Sequence, residues 1–357
     1  MNTKVERLSA KLPDERSAAL VAAPHNLCYL TGFPSGDSWL FVTCTTAYFL
    51  TDFRYIEAAR STIIGAECVM IDRLSKSLCE LVKKHGIQRI FLESGETSLA
   101  QANALQKGVE TVEFVTDDEL DTWISAMRLV KDEEEVHHIL QAQAIAEEGF
   151  RHILPYIQVG KTEREVALEL EFYMRRQGAQ RVAFDFIVVS GANSSLPHGI
   201  PSDKKIEKGD FVTMDFGAVI NGYHSDMTRT VAVGEVSDEQ RLVYDTVLKA
   251  QEASLSVLKA GLLCVEADAA ARKVIVDAGY GDCFGHGTGH GVGVQIHEAP
   301  TLSPKAEKQL LKVGNVVTVE PGIYLEGRFG VRIEDMAYIT KDGYRNLTSC
   351  PKELIIL

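Results

Sequence analysis

Two stretches of this chain repeat one another, and each carries carboxylates at matching places. Residues 208–217 read KGDFVTMDFG and residues 313–322 read VGNVVTVEPG. At an offset of 105 (314 − 209), Gly209 matches Gly314, Val212 matches Val317, Thr213 matches Thr318 and Gly217 matches Gly322. The same offset sets Asp215 against Glu320. A second carboxylate follows each one: Asp226 after 11 residues (226 − 215) and Glu334 after 14 (334 − 320). The expected unit is a strand ending in a carboxylate, a turn, and a return strand that brings the second carboxylate back. Two such hairpins can bring four carboxylates to one point. Four carboxylates cannot all stay ionised in one cleft, because like charges raise each other's pKa. Two divalent cations would cancel the charge, and His290 offers a fifth ligand-type side chain.

His290 lies in FGHGTGHGVGVQIHE (284–298), which also holds His286 and His297. A glycine-rich loop can cradle a phosphate, but no Lys or Arg accompanies this one and no GK[ST] opens a helix after it. The alternation in GVGVQIH predicts a strand whose small residues let another group approach closely. Four carboxylates and one imidazole form a mostly oxygen site, suited to Mn²⁺ or Mg²⁺, with Co²⁺ or Zn²⁺ able to substitute. No thiolate cluster marks a structural zinc. Two ions about 3.5–4 Å apart supply a bridging hydroxide and polarise a carbonyl, which is hydrolytic chemistry.

The elements that must hold these residues are legible in outline. Strand-like runs lie at AALVAA (18–23), WLFVT (39–43), AYFLT (47–51) and RIFLE (89–93), with an amphipathic helix over 74–85 closed by Gly86. This is an α/β domain over residues 1–125, with a boundary in 121–131. From Asp132 to about Ile157 a helix places Val136, Ile139, Leu140, Ala144 and Ile145 on its apolar positions. The acidic run 132–135 reads as its solvated first turn. His137 and His138 are adjacent, so they cannot form an i,i+4 metal pair. Two similar halves follow. GKTEREVALELEFYMRRQG starts at Gly160 and GLLCVEADAAARKVIVDAG at Gly261, each leading to a histidine region and a carboxylate hairpin. An α+β domain over 126–357, internally duplicated about a pseudo-twofold axis with its site on that axis, is the expected architecture.

Composition bounds the function classes. The net charge of −13 without a Lys/Arg cluster argues against nucleic acid or an anionic membrane as the main partner. Seven cysteines, odd in number and without CxxC, read as reduced thiols of a cytoplasmic protein. Cys283, near the histidines, reads as a packed residue. The charged first 20 residues lack the apolar run of a secretory signal. No apolar run approaches the ~18–20 residues that cross a bilayer.

Over essentially its whole length the chain resembles the pita-bread metallopeptidases, specifically the Xaa-Pro peptidases (aminopeptidase P and prolidase). The motifs that carry the resemblance are NLCYLTGF, TDFRY, LPHG (196–199), MDFG, SDMTRT, HGTGHGVG, HEAP, VEPGIY and VRIED. The resemblance implies that Asp215 binds one metal through both oxygens, that His290 and Glu320 bind the other, and that Asp226 and Glu334 bridge. It implies that His198, His286 and His297 surround a proline-containing peptide, with His198 and His297 hydrogen-bonding the substrate and its tetrahedral intermediate. Glu320 would also shuttle a proton to the leaving proline nitrogen, and Arg332 would orient substrate or support a ligand. A homodimer is implied as well. Close relatives often follow the last ligand with two acidic residues, whereas here Asp335 precedes Met336. Some dipeptide-selective relatives carry an arginine just after HE-x-P, where this chain has Thr301. The rival readings are a methionine aminopeptidase-like enzyme, which shares the catalytic domain and the HGIP segment, and a pita-bread binding module without catalysis. The N-terminal domain, TRT and HE-x-P favour the Xaa-Pro branch, and the complete ligand set argues against the inactive module.

Overall fold

The computed structural model describes residues 3–357. Met1 and Asn2, which open the charged segment read as lacking a leader, lie outside the described residues. The chain divides into a unit ending at Arg128 and a unit spanning Leu129–Leu357. The helix Glu119–Arg128 carries the first unit past residue 125. None of the helices among the described residues is long and apolar enough to cross a membrane.

The first unit is built on a six-stranded mixed sheet. Its spatial order is Glu67–Met70, Ala47–Thr51, Ser38–Thr43, Ser17–Val21, Arg89–Leu92 and Glu113–Val115. Strand Ser17–Val21 runs parallel to Arg89–Leu92 and antiparallel to Ser38–Thr43. Helix Leu74–His85 buries Leu78, Leu81 and Val82, spaced i, i+3, i+4, against this sheet's core. It stops at Gly86, whose φ of 65° is a left-handed cap that a residue with a Cβ rarely adopts.

The second unit repeats itself element by element. Helix Glu133–Ile153 corresponds to Asp238–Val257, and Glu163–Arg176 to Cys264–Asp277. Strand Ile187–Ser190 corresponds to Gly289–Gly291, and Phe211–Phe216 to Val316–Val319. Each of the latter strands continues beyond its carboxylate into a small hairpin, Ala218–Ile220 with Tyr223–His224 or Gly322–Leu325 with Phe329–Arg332. The chain then returns as Met227–Ala232 or Asp335–Ile339, antiparallel to the strand it left. The expected simple turn is thus a whole hairpin. The offset between copies grows from 105 (320 − 215) to 108 (334 − 226), so the second hairpin is three residues longer. Both second helices begin shortly after a left-handed glycine, Gly160 at φ 91° and Gly261 at φ 85°.

Strand period decides which side chains reach the site. In Phe211–Phe216, Val212, Met214 and Phe216 pack with Phe150, Leu170 and Met174 of the covering helices. Asp215 and Thr213 therefore face the other way. In the second copy Val317 and Val319 pack with Leu255 and Leu302, leaving Thr318 and Glu320 on the opposite face. Each apolar side chain buried this way contributes about 1.5–3 kcal/mol, which holds the carboxylates rigidly against their mutual repulsion.

Three local expectations are corrected. GVGVQIH is not a strand: the strands are Gly289–Gly291 and Glu298–Leu302, and residues between them fold back as a bulged loop. Its glycines do serve close approach, since a Cβ on Gly291 would collide with the Ala299 carbonyl. The run 132–135 is not wholly solvated. Asp132 caps the helix, but Glu135 is buried and accepts a hydrogen bond from Tyr223 Oη at 3.0 Å. Ala144 is exposed, and Ala142, Gln143 and Ala146 turn inward instead.

Candidate metal centre

Asp215, Asp226, His290, Glu320 and Glu334 line one cavity of about 570 Å³. His198, His286, His297, Arg332 and Thr301 line it too. One ligand atom from each of Asp226, His290 and Glu334 lies within 4.8 Å of the other two. Glu320 Oε1 lies 3.3 Å and Asp226 Oδ2 3.5 Å from His290 Nε2.

Those short distances could be read as ion pairs with a charged imidazole, but the ring's other nitrogen argues against it. His290 Nδ1 lies 3.1 Å from the Gly291 carbonyl, so that nitrogen carries the proton. Burial first, and His297 next, push the His290 pKa down to about 4. The imidazole is therefore neutral, and its Nε2 lone pair points at carboxylate oxygens. A lone pair facing anions is repulsive unless a cation lies between them. Metal-bound histidines commonly donate their other N–H to a carbonyl in this manner.

The carboxylates give the same reading. Asp215 Oδ1, Asp226 Oδ1 and Glu334 Oε1 are buried and have no hydrogen-bond partner. An unpartnered buried carboxylate oxygen is costly, and three around one cavity call for a cation. Burial first, and then the charge of Asp215 for Asp226 and of Asp226 for Glu334, raises both pKa values well above the carboxylate range. Burial raises Glu320 to about 8, with Arg332 opposing and Asp215 reinforcing the rise. The donor set therefore fits divalent ions with oxygen-rich coordination.

The second oxygens of Asp215 and Glu334, and Oε1 of Glu320, are held by neighbours that were not singled out from the sequence, apart from Arg332. Arg332 Nη2 donates to Asp215 Oδ2 at 2.7 Å, its Nε to Thr228 Oγ1 at 3.1 Å and its Nη1 to Tyr324 Oη at 2.9 Å. Thr228 Oγ1 donates to Glu334 Oε2 at 2.7 Å. Thr318 Oγ1 donates to Glu320 Oε1 at 3.2 Å and accepts from the His290 N–H at 3.1 Å. Tyr324 Oη also lies 2.9 Å from His286 Nε2, and His286 Nδ1 lies 2.8 Å from the Gly287 carbonyl. His286 is thus neutral, its pKa pushed to about 4 chiefly by burial, and takes the tyrosine's proton as an acceptor. His297 packs edge-on to His290 with ring centroids 4.3 Å apart. Its pKa is lowered by burial against the opposing pull of Asp215.

Beyond the polar floor, Phe184, Phe186, Ile187, Pro197, Ile200 and Ile296 give the cavity apolar walls. Cys283 lies outside it, packed beside Phe284 and Tyr280 in a separate core. All seven cysteines are unpaired. Asp335 is turned away from the cavity and holds Arg229 Nη2 at 2.8 Å, while Met336 is fully buried.

Metallopeptidase family M24 matches residues 137–341, and the creatinase/prolidase N-terminal domain matches residues 4–130. The fold superposes on an Xaa-Pro dipeptidase from Bacillus anthracis with a TM-score of 0.94, at 42% identity over 99% of each chain. It superposes on an X-Pro aminopeptidase from Thermotoga maritima with a TM-score of 0.88, at 39% identity over 95% of each. An Xaa-Pro dipeptidase of Pyrococcus horikoshii is 38% identical over 99% of both chains. This chain therefore belongs to metallopeptidase family M24, as an enzyme that joins a creatinase/prolidase-type N-terminal domain to a pita-bread catalytic domain.

Proposed function

We propose that this enzyme uses two divalent ions, Mn²⁺ first among them, to hydrolyse the bond between an N-terminal residue and a following proline. The observation that carries the reading is the set of three unpartnered buried carboxylate oxygens, on Asp215, Asp226 and Glu334, in the cavity that also holds the unprotonated Nε2 of His290. Asp215, Asp226, His290, Glu320 and Glu334 would hold the ions. Two bound ions supply a nucleophilic water at neutral pH and polarise the scissile carbonyl.

The remaining chemistry belongs to the chain. Glu320 takes the proton from the attacking water and delivers it to the proline nitrogen as that bond breaks. His198 and His297 hydrogen-bond the peptide carbonyls. His286 is fixed as an acceptor by Tyr324, and Arg332 holds Asp215 in place while neutralising its charge. The apolar walls take the pyrrolidine ring. An imide bond has no N–H, so a site that asks for no backbone donor there loses nothing with proline, and the fixed proline ring costs less entropy to bind.

A hydrolysis panel of Ala-Pro, Ala-Pro-Ala, Met-Ala-Ser and Ala-Ala-Ala tests the reading after reconstitution with Mn²⁺. Xaa-Pro substrates should exceed Xaa-Ala substrates in kcat/KM by at least about 10²-fold, a difference of about 2.7 kcal/mol. Thr301 supplies no cation for a free carboxylate, so Ala-Pro-Ala should be cleaved at least as well as Ala-Pro. Faster cleavage of Met-Ala-Ser than Ala-Pro-Ala would instead favour the methionine aminopeptidase reading.

A further inference from the structure

The loop that ends in His297 is gripped from two sides by residues outside the ligand set. On one side stands an ion pair between Lys131 and Glu298, the residue after His297. Lys131 Nζ lies 2.6 Å from Glu298 Oε1, and the two side chains are only 1% and 7% exposed. Removing one charge from such a pair leaves the other stranded in a site of low dielectric. Lys131 is itself fixed. Its backbone N–H donates to the Gly314 carbonyl at 2.8 Å, and Asn315 Nδ2 donates to the Leu129 carbonyl at 2.7 Å. Gly314 and Asn315 lead directly into Val316–Val319, the strand that delivers Glu320. The lysine thus spans from the base of the Glu320 strand to the residue next to His297.

Glu298 also shapes the loop. Gly293 lays its α-carbon against the Glu298 carboxylate, where a Cβ would collide with Oε1. From the other side, the Gly293 carbonyl accepts from the His224 backbone N–H at 2.9 Å and faces His224 Nδ1 at 3.1 Å. Arg181 Nη2 lies 3.2 Å from His224 Nε2. A guanidinium only donates, so Nε2 is the acceptor and the ring proton sits on Nδ1, aimed at Gly293. The loop is clamped between His224 and Glu298.

We propose that Lys131 is a positioning residue for catalysis: through Glu298 it fixes the loop so that the His297 imidazole is held over the cavity. Neither Lys131 nor Glu298 lines the cavity. The inference rests on the reading of His297 as a substrate contact. A misplacement of about 1 Å in a reacting geometry can reduce turnover by about 10²-fold.

The test is a double-mutant cycle on the full-length, Mn²⁺-loaded enzyme with Ala-Pro-Ala. Lys131→Met should lower kcat about 10- to 100-fold, with KM and metal content within about twofold of wild type. Lys131→Arg should recover part of the loss. Combined with His297→Ala, Lys131→Met should add less than about twofold, because the group it positions is already gone. Losses that multiply, or a Lys131→Met enzyme that turns over normally while His297→Ala does not, would overturn this inference and leave the proposed reaction standing. Normal turnover by His297→Ala itself would remove the role of His297 and this inference with it. Should Lys131→Met fail to fold, Glu298→Gln, which keeps the shape and one acceptor, is judged by the same non-additivity.

Discussion

The two copies of the carboxylate hairpin share a backbone plan and differ in how their carboxylates are held. Thr213 and Thr318 occupy equivalent places two residues before Asp215 and Glu320. Thr318 donates to Glu320, whose extra methylene brings it back within reach. Thr213 instead meets Thr230 Oγ1 at 3.0 Å, leaving Asp215 to be held by Arg332 of the other copy. The first copy returns the arrangement through Thr228, which donates to Glu334 of the second. The imidazole comes from the second copy alone; the first-copy counterpart strand, Ile187–Ser190, carries Ile, Val, Val and Ser and no ligand-type side chain. Duplication thus explains the scaffold, and the substitutions laid on it explain the site. The fixed positive charge sits on the Asp215 side and the neutral imidazole beside Glu320.

The largest effect should come from removing what the two copies share. Chelation should abolish hydrolysis and Mn²⁺ restore it, and Glu334→Ala should lose at least about 10³-fold because it is read as serving both ions. Next, the histidines should separate. His290→Ala should lower metal content, whereas His286→Ala should keep metal and lose about 10²–10⁴-fold in turnover. Metal analysis beside kinetics decides this, and full metal content in His290→Ala would remove it from the ligand set.

The reciprocal restraints should then prove unequal. Arg332→Met leaves Asp215 buried without its counter-charge and should cost about 10²-fold in kcat/KM, against about tenfold for Thr228→Val. Equal losses would show that the asymmetry between the copies is unimportant.

A pH prediction follows for the metal-free protein. Asp226, Glu320 and Glu334 have folded pKa values above their unfolded ones, Glu320 at about 8 against 4.5. The native state therefore keeps protons that the unfolded state releases, so stability falls as pH rises toward 8. His286 and His290, at about 4 against 6.5, act in the opposite direction below 6.5. Between pH 6.5 and 8 the opposing histidine effect, to which His85 and His297 also contribute, fades as those rings become neutral in both states, and the carboxylates dominate. Tm of the metal-free protein should fall across that window, and Mn²⁺ should raise Tm more at pH 8 than at pH 6.5. A flat or rising Tm would contradict the charge assignment. The smallest effect separates the paired threonines: Thr318→Val should slow turnover about tenfold, and Thr213→Val less than about twofold.

What the sequence revealed followed from its periodicities. The repeat placed Asp215 against Glu320 and implied their strands, because the matched residues are neighbours in the chain. His286 and His297 stand out in their glycine-rich segment, but their roles, like His198 and Arg332 altogether, come only through resemblance, since no local pattern assigns a role to a single histidine or arginine. Thr228, Thr318 and Tyr324 were not singled out. A hydroxyl's partner depends on which strands meet, and Thr228 and Glu334 lie 106 residues apart. The same holds for Lys131 and Glu298 at a separation of 167. GVGVQIH imitated a strand because glycine alternating with apolar residues has period two. The backbone freedom that glycine brings is also what lets the segment fold back.

The most direct test of the account is a titration of chelated protein with Mn²⁺ while release of alanine from Ala-Pro-Ala is followed. Activity should be absent without metal and should reach its plateau at about two ions per chain. A plateau reached at one ion, or full activity in metal-free protein, would contradict the dinuclear centre.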